Sequence, residues 1–232
     1  MTEEDEWDKW EAYFLSGPVC EQGIRLAALL MPKTRQVRAI DLGAGGGVFG
    51  QRARIVLPGV EMTGVEVRKS ERPAARHYTT YVQGNYFDQS VQDRVGDGFD
   101  LVTANPPFSR TRTTIEYARQ ILAPRGVALF FVRRSTGESL EDFEFFRTRA
   151  PIRQADIPGR ITLRRGKSKR GHELNGDHVG HKWLIFRRGY CRTCSWPNTL
   201  LPPLPADMRR WTVRPGTERH IVPIPSFYYP QI

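Results

Sequence analysis

The chain has 232 residues, 39% of them hydrophobic, with 21 glycines; this is enough for one α/β domain with a substantial core and a short addition. No apolar run is long enough to cross a bilayer, the acidic start Met1-Thr-Glu-Glu-Asp-Glu6 argues against a secretory signal, and three cysteines are too few for a disulfide framework, so a soluble, cytoplasmic protein is expected. A formal net charge of +10 favours a polyanionic partner.

Trp7, Trp10 and Phe14 fall on one helical face and are expected to pack on the domain. Ser16-Gly17-Pro18 precedes a helix-like run from Val19 to Leu30, which Met31-Pro32 ends. Val37 to Leu42 is an apolar strand with Asp41 at its end. It leads into Gly43-Ala44-Gly45-Gly46-Gly47 and a helix from Phe49 to Leu57. Alternating glycines let the backbone approach a ligand closely. The spacing D-x-G-x-G-x-G differs from the G-x-G-x-x-G phosphate fingerprint, and the missing Gly-Lys-Ser/Thr excludes a P-loop. Gly59 to Val67 reads as the second strand. Glu66 stands at its carboxyl end, where an acid can bond both ribose hydroxyls of an adenosine cofactor. Tyr81 to Asp88 reads as a third strand and its exit loop. Asn85 is a candidate for an adenine edge, and Tyr86 or Phe87 for its face. Val91 to Gly98 reads as a polar loop.

Phe99 to Ala104 reads as a buried strand that delivers Asn105-Pro106-Pro107-Phe108 at its carboxyl end, where open α/β sheets place ligands. Two prolines remove two backbone donors and stiffen the exit. The Asn105 amide and the Pro106 carbonyl are then aimed acceptors. Such a pair suits methylation of an exocyclic amine, whose lone pair is delocalised until acceptors on both N–H groups localise it on nitrogen. Phe108 can stack on the base.

Thr111 to Leu122 is a helix, ended by Pro124-Arg-Gly126, and Val127 to Arg133 is a buried strand. Ser139-Leu-Glu-Asp142 is a capping box that opens a helix carrying Phe143, Phe145 and Phe146, all expected in the core. Asp156 to Leu163 and Lys182 to Arg187 read as strands. The stretch 164–180 between them is a polar, glycine-rich loop in which Arg164, Arg165, Lys167, Lys169 and Arg170 can follow a phosphate backbone. His172, His178 and His181 have no metal-ligand spacing. Cys191 and Cys194 have the spacing of half a zinc site whose other half is missing, so no metal is expected. Residues 189–232 form a Pro- and aromatic-rich extension to the 1–188 domain, with Leu201-Pro-Pro-Leu-Pro205 and Arg209-Arg-Trp211. It is a candidate wrap, partner-subunit contact or minimal recognition element.

Together, Asp41 to Gly47, Glu66, Gly84-Asn85 and Asn105 to Phe108 resemble a class I S-adenosylmethionine-dependent methyltransferase, above all the N6-adenine DNA type in gamma-like motif order. The resemblance spans roughly residues 13–187 and implies a Rossmann-like α/β fold. Its sheet has seven mostly parallel strands and a C-terminal antiparallel hairpin. It implies that Asp41, Gly43, Ala44, Gly45 and Gly47 cradle the methionine portion of S-adenosyl-L-methionine. Glu66, Val67, Asn85 and Tyr86 take its nucleoside, and the early Ser16 and Pro18 touch it. Ser16-Gly-Pro18 departs from the usual Thr-Pro, and Asn85 stands where an acid is common. Asn105, Pro106, Pro107 and Phe108 become the catalytic set, with DNA as partner. RNA adenine, a protein glutamine, and an inactive nucleic-acid-binding or scaffold protein stand as alternatives.

Overall fold

The short apolar runs separated by glycine turns come together as one sheet because each is too apolar to leave either face in water. The computed structural model describes residues 13–32, 36–159, 161, 163–167, 173–175, 179–190 and 198–200. Its strands are β1 (Arg38–Leu42), β2 (Glu61–Glu66), β3 (Thr80–Gln83), β4 (Phe99–Ala104), β5 (Leu122–Arg133), β6 (Arg153–Asp156), β7 (Arg164–Lys167), β8 (Glu173–Asn175), β9 (His181–Arg187) and β10 (Asn198–Leu200). The main sheet runs β10-β6-β9-β5-β4-β1-β2-β3. β9 is antiparallel to both β5 and β6; every other pairing in this sheet is parallel. β1 to β6 and β9 are the seven strands of the expected Rossmann-like arrangement. β10 adds an eighth, so the sheet continues into the stretch set apart by its composition.

Both faces are covered. Val127, Leu129 and Phe131 of β5 join one apolar cluster, while Ala128, Phe130 and Val132 join the other, as the two-residue period of a strand requires. Helices α1 (Gly17–Ala28) and α2 (Val48–Val56) pack into the first cluster. Helices α3 (Gln89–Val95), α4 (Thr111–Ile121) and α5 (Leu140–Thr148) pack into the second. The chain leaves β1 on one side toward β2 and β3, then crosses to β4 on the other. The crevice at the carboxyl ends of β1 and β4 is therefore the topological switch point, where such sheets bind ligands.

Several expectations are corrected. Gln89–Val95 is helical where a polar loop is expected, because Val91 alone buries and supplies too little apolar periodicity to read. β5 begins at Leu122, five residues early, with a register shift against β4 between Phe99 and Leu101 that absorbs Pro124-Arg-Gly126. β6 lies upstream of its expected place: it ends at Asp156, and Ile157, Ile161 and Leu163 are buried without joining it. The 164–180 loop contains the two-stranded antiparallel ribbon β7–β8. The Ser139 cap is present, its hydroxyl accepting from the Asp142 amide at 3.0 Å, but of the three phenylalanines only Phe146 is fully buried and Phe143 is 57% exposed. Trp7, Trp10, Lys169, Arg170, His172, His178, Cys191 and Cys194 lie outside the described residues.

Two glycines inside regular elements have one cause. A methyl group on Gly50, in α2, would lie 2.6 Å from the Tyr78 ring, and one on Gly64, in β2, would lie 2.8 Å from it. The ring occupies a slot between helix and strand that no larger residue leaves open. Gly64→Ala is therefore expected to cost about 1–3 kcal/mol by overpacking a rigid ring. Denaturant midpoints should show that loss, and it should shrink in a Tyr78→Leu background.

Candidate active site

The turn after β1 uses left-handed backbone at Gly43 (φ 84°), Gly45 (φ 50°) and Gly47 (φ 81°), which explains the alternating glycines. The Gly43 and Ala44 amides both donate to the Val65 carbonyl, at 3.0 and 2.8 Å, tying the turn to β2. Beneath it lies Asp41, fully buried. The Tyr78 hydroxyl donates to it at 2.7 Å and the Thr103 hydroxyl at 3.1 Å; the Tyr78 oxygen is also 3.3 Å from the Ala44 carbonyl. Burial raises the Asp41 pKa from 3.8 to about 7. The two hydrogen bonds oppose that rise and the nearby Glu66 charge adds to it. The Tyr78 hydroxyl is pushed well above its ordinary value, by burial and then by Asp41. Asp41 does not reach the surface of the cleft; it supports the turn from behind.

A cavity of about 420 Å³ opens at the carboxyl ends of β1 to β4, within the usual range for a small-molecule site. Gly43, Ala44, Gly45 and Gly46 form one wall, and Glu66, Val67 and Arg68 the next. Glu66 is 3% exposed. Its Oε2 accepts from the Gly45 amide at 2.7 Å and from Arg68 Nη2 at 3.4 Å. Its Oε1 accepts from the Arg68 amide at 2.9 Å and Arg68 Nε at 3.0 Å. The roughly four acceptor directions of a carboxylate are thus all in use, and a ribose diol at Glu66 must displace the guanidinium. Arg68, itself 5% exposed, lies beneath the Phe14 ring at 5.5 Å.

Asn85 and Tyr86 also line the cavity, with Phe87. Asn85 already serves its own turn, Oδ1 accepting from the Phe87 amide at 3.1 Å. The Tyr86 hydroxyl pairs with Thr114 at 3.1 Å, and its pKa is pushed up to about 12, chiefly by burial.

At the far end stand Asn105 and Pro107, with Ser109 and Arg110 beyond them. Asn105 Nδ2 donates to the Tyr13 carbonyl at 2.7 Å. Pro106 is buried and off the cavity wall; the half-buried Phe108 side chain is off it too. The Phe108 ring packs on Tyr13 at 5.3 Å, and the Arg133 guanidinium lies 3.7 Å from its centre. Gly47 caps α2, and Ser16 and Pro18 open α1; none of the three lines the cavity, whereas Leu15 does. Arg164, Arg165 and Lys167 lie on β7. His181 is buried and stacked on Phe131 at 4.6 Å.

Tyr13, Arg68, Tyr78 and Arg110 belong to the site or its support without standing out as candidates in the sequence. Arg68 carried a signal, a base two residues beyond a strand-end acid. Tyr13 carried none, being 92 residues from Asn105.

The cleft and its turn fit a nucleoside joined to a small polar group: a bare glycine turn at one end, a buried carboxylate beside it, and an amide at the other end. Comparison with known proteins agrees with this. The profile of the methyltransferase small domain matches residues 15–141. The ribosomal RNA large subunit methyltransferase G of Streptomyces griseus is 34% identical over 109 residues, 43% of this chain and 28% of that protein. A type I restriction-modification methyltransferase subunit from Streptococcus thermophilus superposes with a TM-score of 0.60 at 12% identity, covering 77% of this chain and 45% of that one. The type I restriction enzyme EcoKI M protein does so at 0.56 and 17% identity, covering 77% and 44%. These two likenesses speak to fold, and this chain spans less than half of each of these three proteins.

Asp41 makes stability depend on pH. Its folded pKa is raised, so the native state holds a proton that the unfolded chain has released. Stability therefore falls as pH rises from about 4 to about 7 and levels off above, a span worth on the order of 4 kcal/mol. Urea titrations at about pH 5 and about pH 8 should show the wild type losing stability relative to Asp41→Asn, which lacks the titrating group.

Proposed function

We propose that this chain, which belongs to the methyltransferase small-domain family, transfers a methyl group from S-adenosylmethionine to the exocyclic N6 amine of adenine in DNA. The observation that carries the reading is that Asn105, at the end of β4, opens into the same cavity as the glycine turn and Glu66. Donor and acceptor of a methyl group need to share one cleft, and the amide stands at the end away from the nucleoside wall.

S-adenosylmethionine, when bound, supplies an electrophilic methyl on sulfur. The chain's own residues do the rest. The turn offers backbone without side chains, and Glu66 is the acid for the ribose once Arg68 turns aside. Asn105 Oδ1 accepts an N–H of the target amine, drawing its lone pair out of the ring and fixing its approach. The proline-stiffened exit keeps that amide from wandering. Direct displacement needs no covalent enzyme intermediate. A base in duplex DNA must first leave the stack, at a cost of a few kcal/mol, and Arg110 at the cavity wall with the overall charge of +10 favours the phosphates that accompany it.

A second reading, an RNA base amine, is favoured by one observation: the 34% identical relative is named for ribosomal RNA. The amide reads the amine and not the sugar, so both substrates suit the cleft.

Labelled S-adenosylmethionine offered with unmethylated DNA and with ribosomal RNA, followed by nucleoside analysis, separates the two. N6-methyladenine from DNA is the expected product. Asn105→Ala should lower transfer by about a hundredfold or more while calorimetric cofactor affinity stays within about threefold. Product from RNA alone moves the assignment to the second reading; equal loss of transfer and cofactor affinity overturns the role of Asn105.

A further inference from the structure

We infer that Tyr13 positions the reacting amine: its main-chain carbonyl holds the Asn105 amide in the one orientation that presents Oδ1 as an acceptor, and its ring is the wall against which a planar target lies. The inference rests on the amine-methylation reading and adds to it a residue from the other end of the chain.

An asparagine side chain has a donor end and an acceptor end of nearly equal shape, and only the acceptor end can take a hydrogen from an amine. Nothing in Asn105 itself selects between the two orientations. The Tyr13 carbonyl does, because it accepts from Nδ2 at 2.7 Å. With the amide reversed, Oδ1 would face that carbonyl, two acceptors at hydrogen-bonding distance with no hydrogen between them. The bond therefore commits Nδ2 to the protein and leaves Oδ1 for the ligand.

The aromatic contacts support the second half. Phe108 follows the two prolines and is the natural stacking candidate in sequence. Its ring is instead taken up by Tyr13, at 5.3 Å and 35°, and by the Arg133 guanidinium at 3.7 Å. Tyr13 lines the cavity beside Asn105 and Pro107, and Phe108 does not. A ring entering beside Asn105 thus meets Tyr13, with Phe108 and Arg133 behind it. The next residue, Phe14, reaches the opposite end of the cleft, where a methyl group on Gly45 would lie 3.1 Å from its ring. Two consecutive residues therefore span the cavity from the glycine turn to the amide.

The test compares wild type, Tyr13→Phe and Tyr13→Ala, each checked for a cooperative melt. Both variants keep the main-chain carbonyl; Tyr13→Phe also keeps the ring that packs on Phe108 and should turn over within about threefold of wild type. Tyr13→Ala should lose about tenfold to a hundredfold in kcat with cofactor Kd unchanged, the signature of misplacement rather than lost binding. Asn105→Asp, which sets a second acceptor against the Tyr13 carbonyl, should be as inactive as Asn105→Ala. Undiminished kcat in Tyr13→Ala, or cofactor affinity falling in step with kcat, overturns the inference. An independent readout is hydrogen exchange of the Asn105 side-chain amide by nitrogen-15 NMR. It should match wild type in Tyr13→Phe and speed up at least about tenfold in Tyr13→Ala, where residue 13 keeps its carbonyl but loses the ring packing on Phe108 that holds the carbonyl against Asn105; unchanged exchange in Tyr13→Ala overturns the inference. Should the wild type methylate no polynucleotide, the substrate reading falls alone, and the exchange measurement still decides the role of Tyr13. Tyr13→Leu takes the place of the alanine variant if that one does not fold.

Discussion

A carboxylate without access to water lies under the glycine turn, and much of the surrounding architecture exists to hold it. Asp41 is fully buried, and burying a charge is costly unless polar partners compensate. Tyr78 and Thr103 supply those partners from two different elements. Bringing in the tyrosine obliges Gly50 and Gly64 to stay bare, since any side chain there meets its ring. The same hydroxyl sits near the Ala44 carbonyl, so the group that tolerates the buried acid also steadies the turn that walls the cleft. One buried oxygen pair thus dictates residues in β2, β4, α2 and the segment before β3.

The second acid is treated differently. Glu66 is nearly as buried but borders the cavity, and its partners are two backbone amides and one guanidinium. Arg68 gives the carboxylate a mate where an isolated charge would be strongly disfavoured. The amide of Gly45 binds the acid and the turn together, so the glycine loop and the end of β2 form one rigid corner. In the proposed complex a ribose hydroxyl exchanges with the guanidinium on its flexible stem, while the two amides stay in place.

The cleft is lined by chain segments remote in sequence. Residues 13 to 15 line it, with the Tyr13 carbonyl accepting from Asn105 at the exit of β4 and Phe14 beside Gly45 of the glycine turn. The two prolines after Asn105 hold the backbone, while the orientation of the side chain comes from the carbonyl of Tyr13. The proposed transfer needs methyl donor and acceptor in one space, and the residue 13–15 segment, the Asn105 amide and Glu66 are what this chain offers there.

Strands β1 to β4 and β9, the glycine turn, Glu66 and Asn105 are legible in sequence because their signals are local: apolar runs of strand length, left-handed positions that only glycine fills cheaply, and polar residues at strand exits. The helix Gln89–Val95 and the early start of β5 are not, since one buried valine makes no periodicity and a register shift absorbs a proline-glycine pair that otherwise reads as a stop. Phe108 shows the limit most plainly. Its place after the prolines marked it as a stacking surface, yet Tyr13 and Arg133 occupy its ring and Tyr13 takes its place on the wall. Sequence by itself determined the order of the core strands, the position of the cleft at their carboxyl ends and several of the residue types that border it. Tertiary structure decided which of those residues face the cavity and which support it, because that depends on contacts between segments tens of residues apart, and such contacts follow from packing and leave no pattern in the local chain.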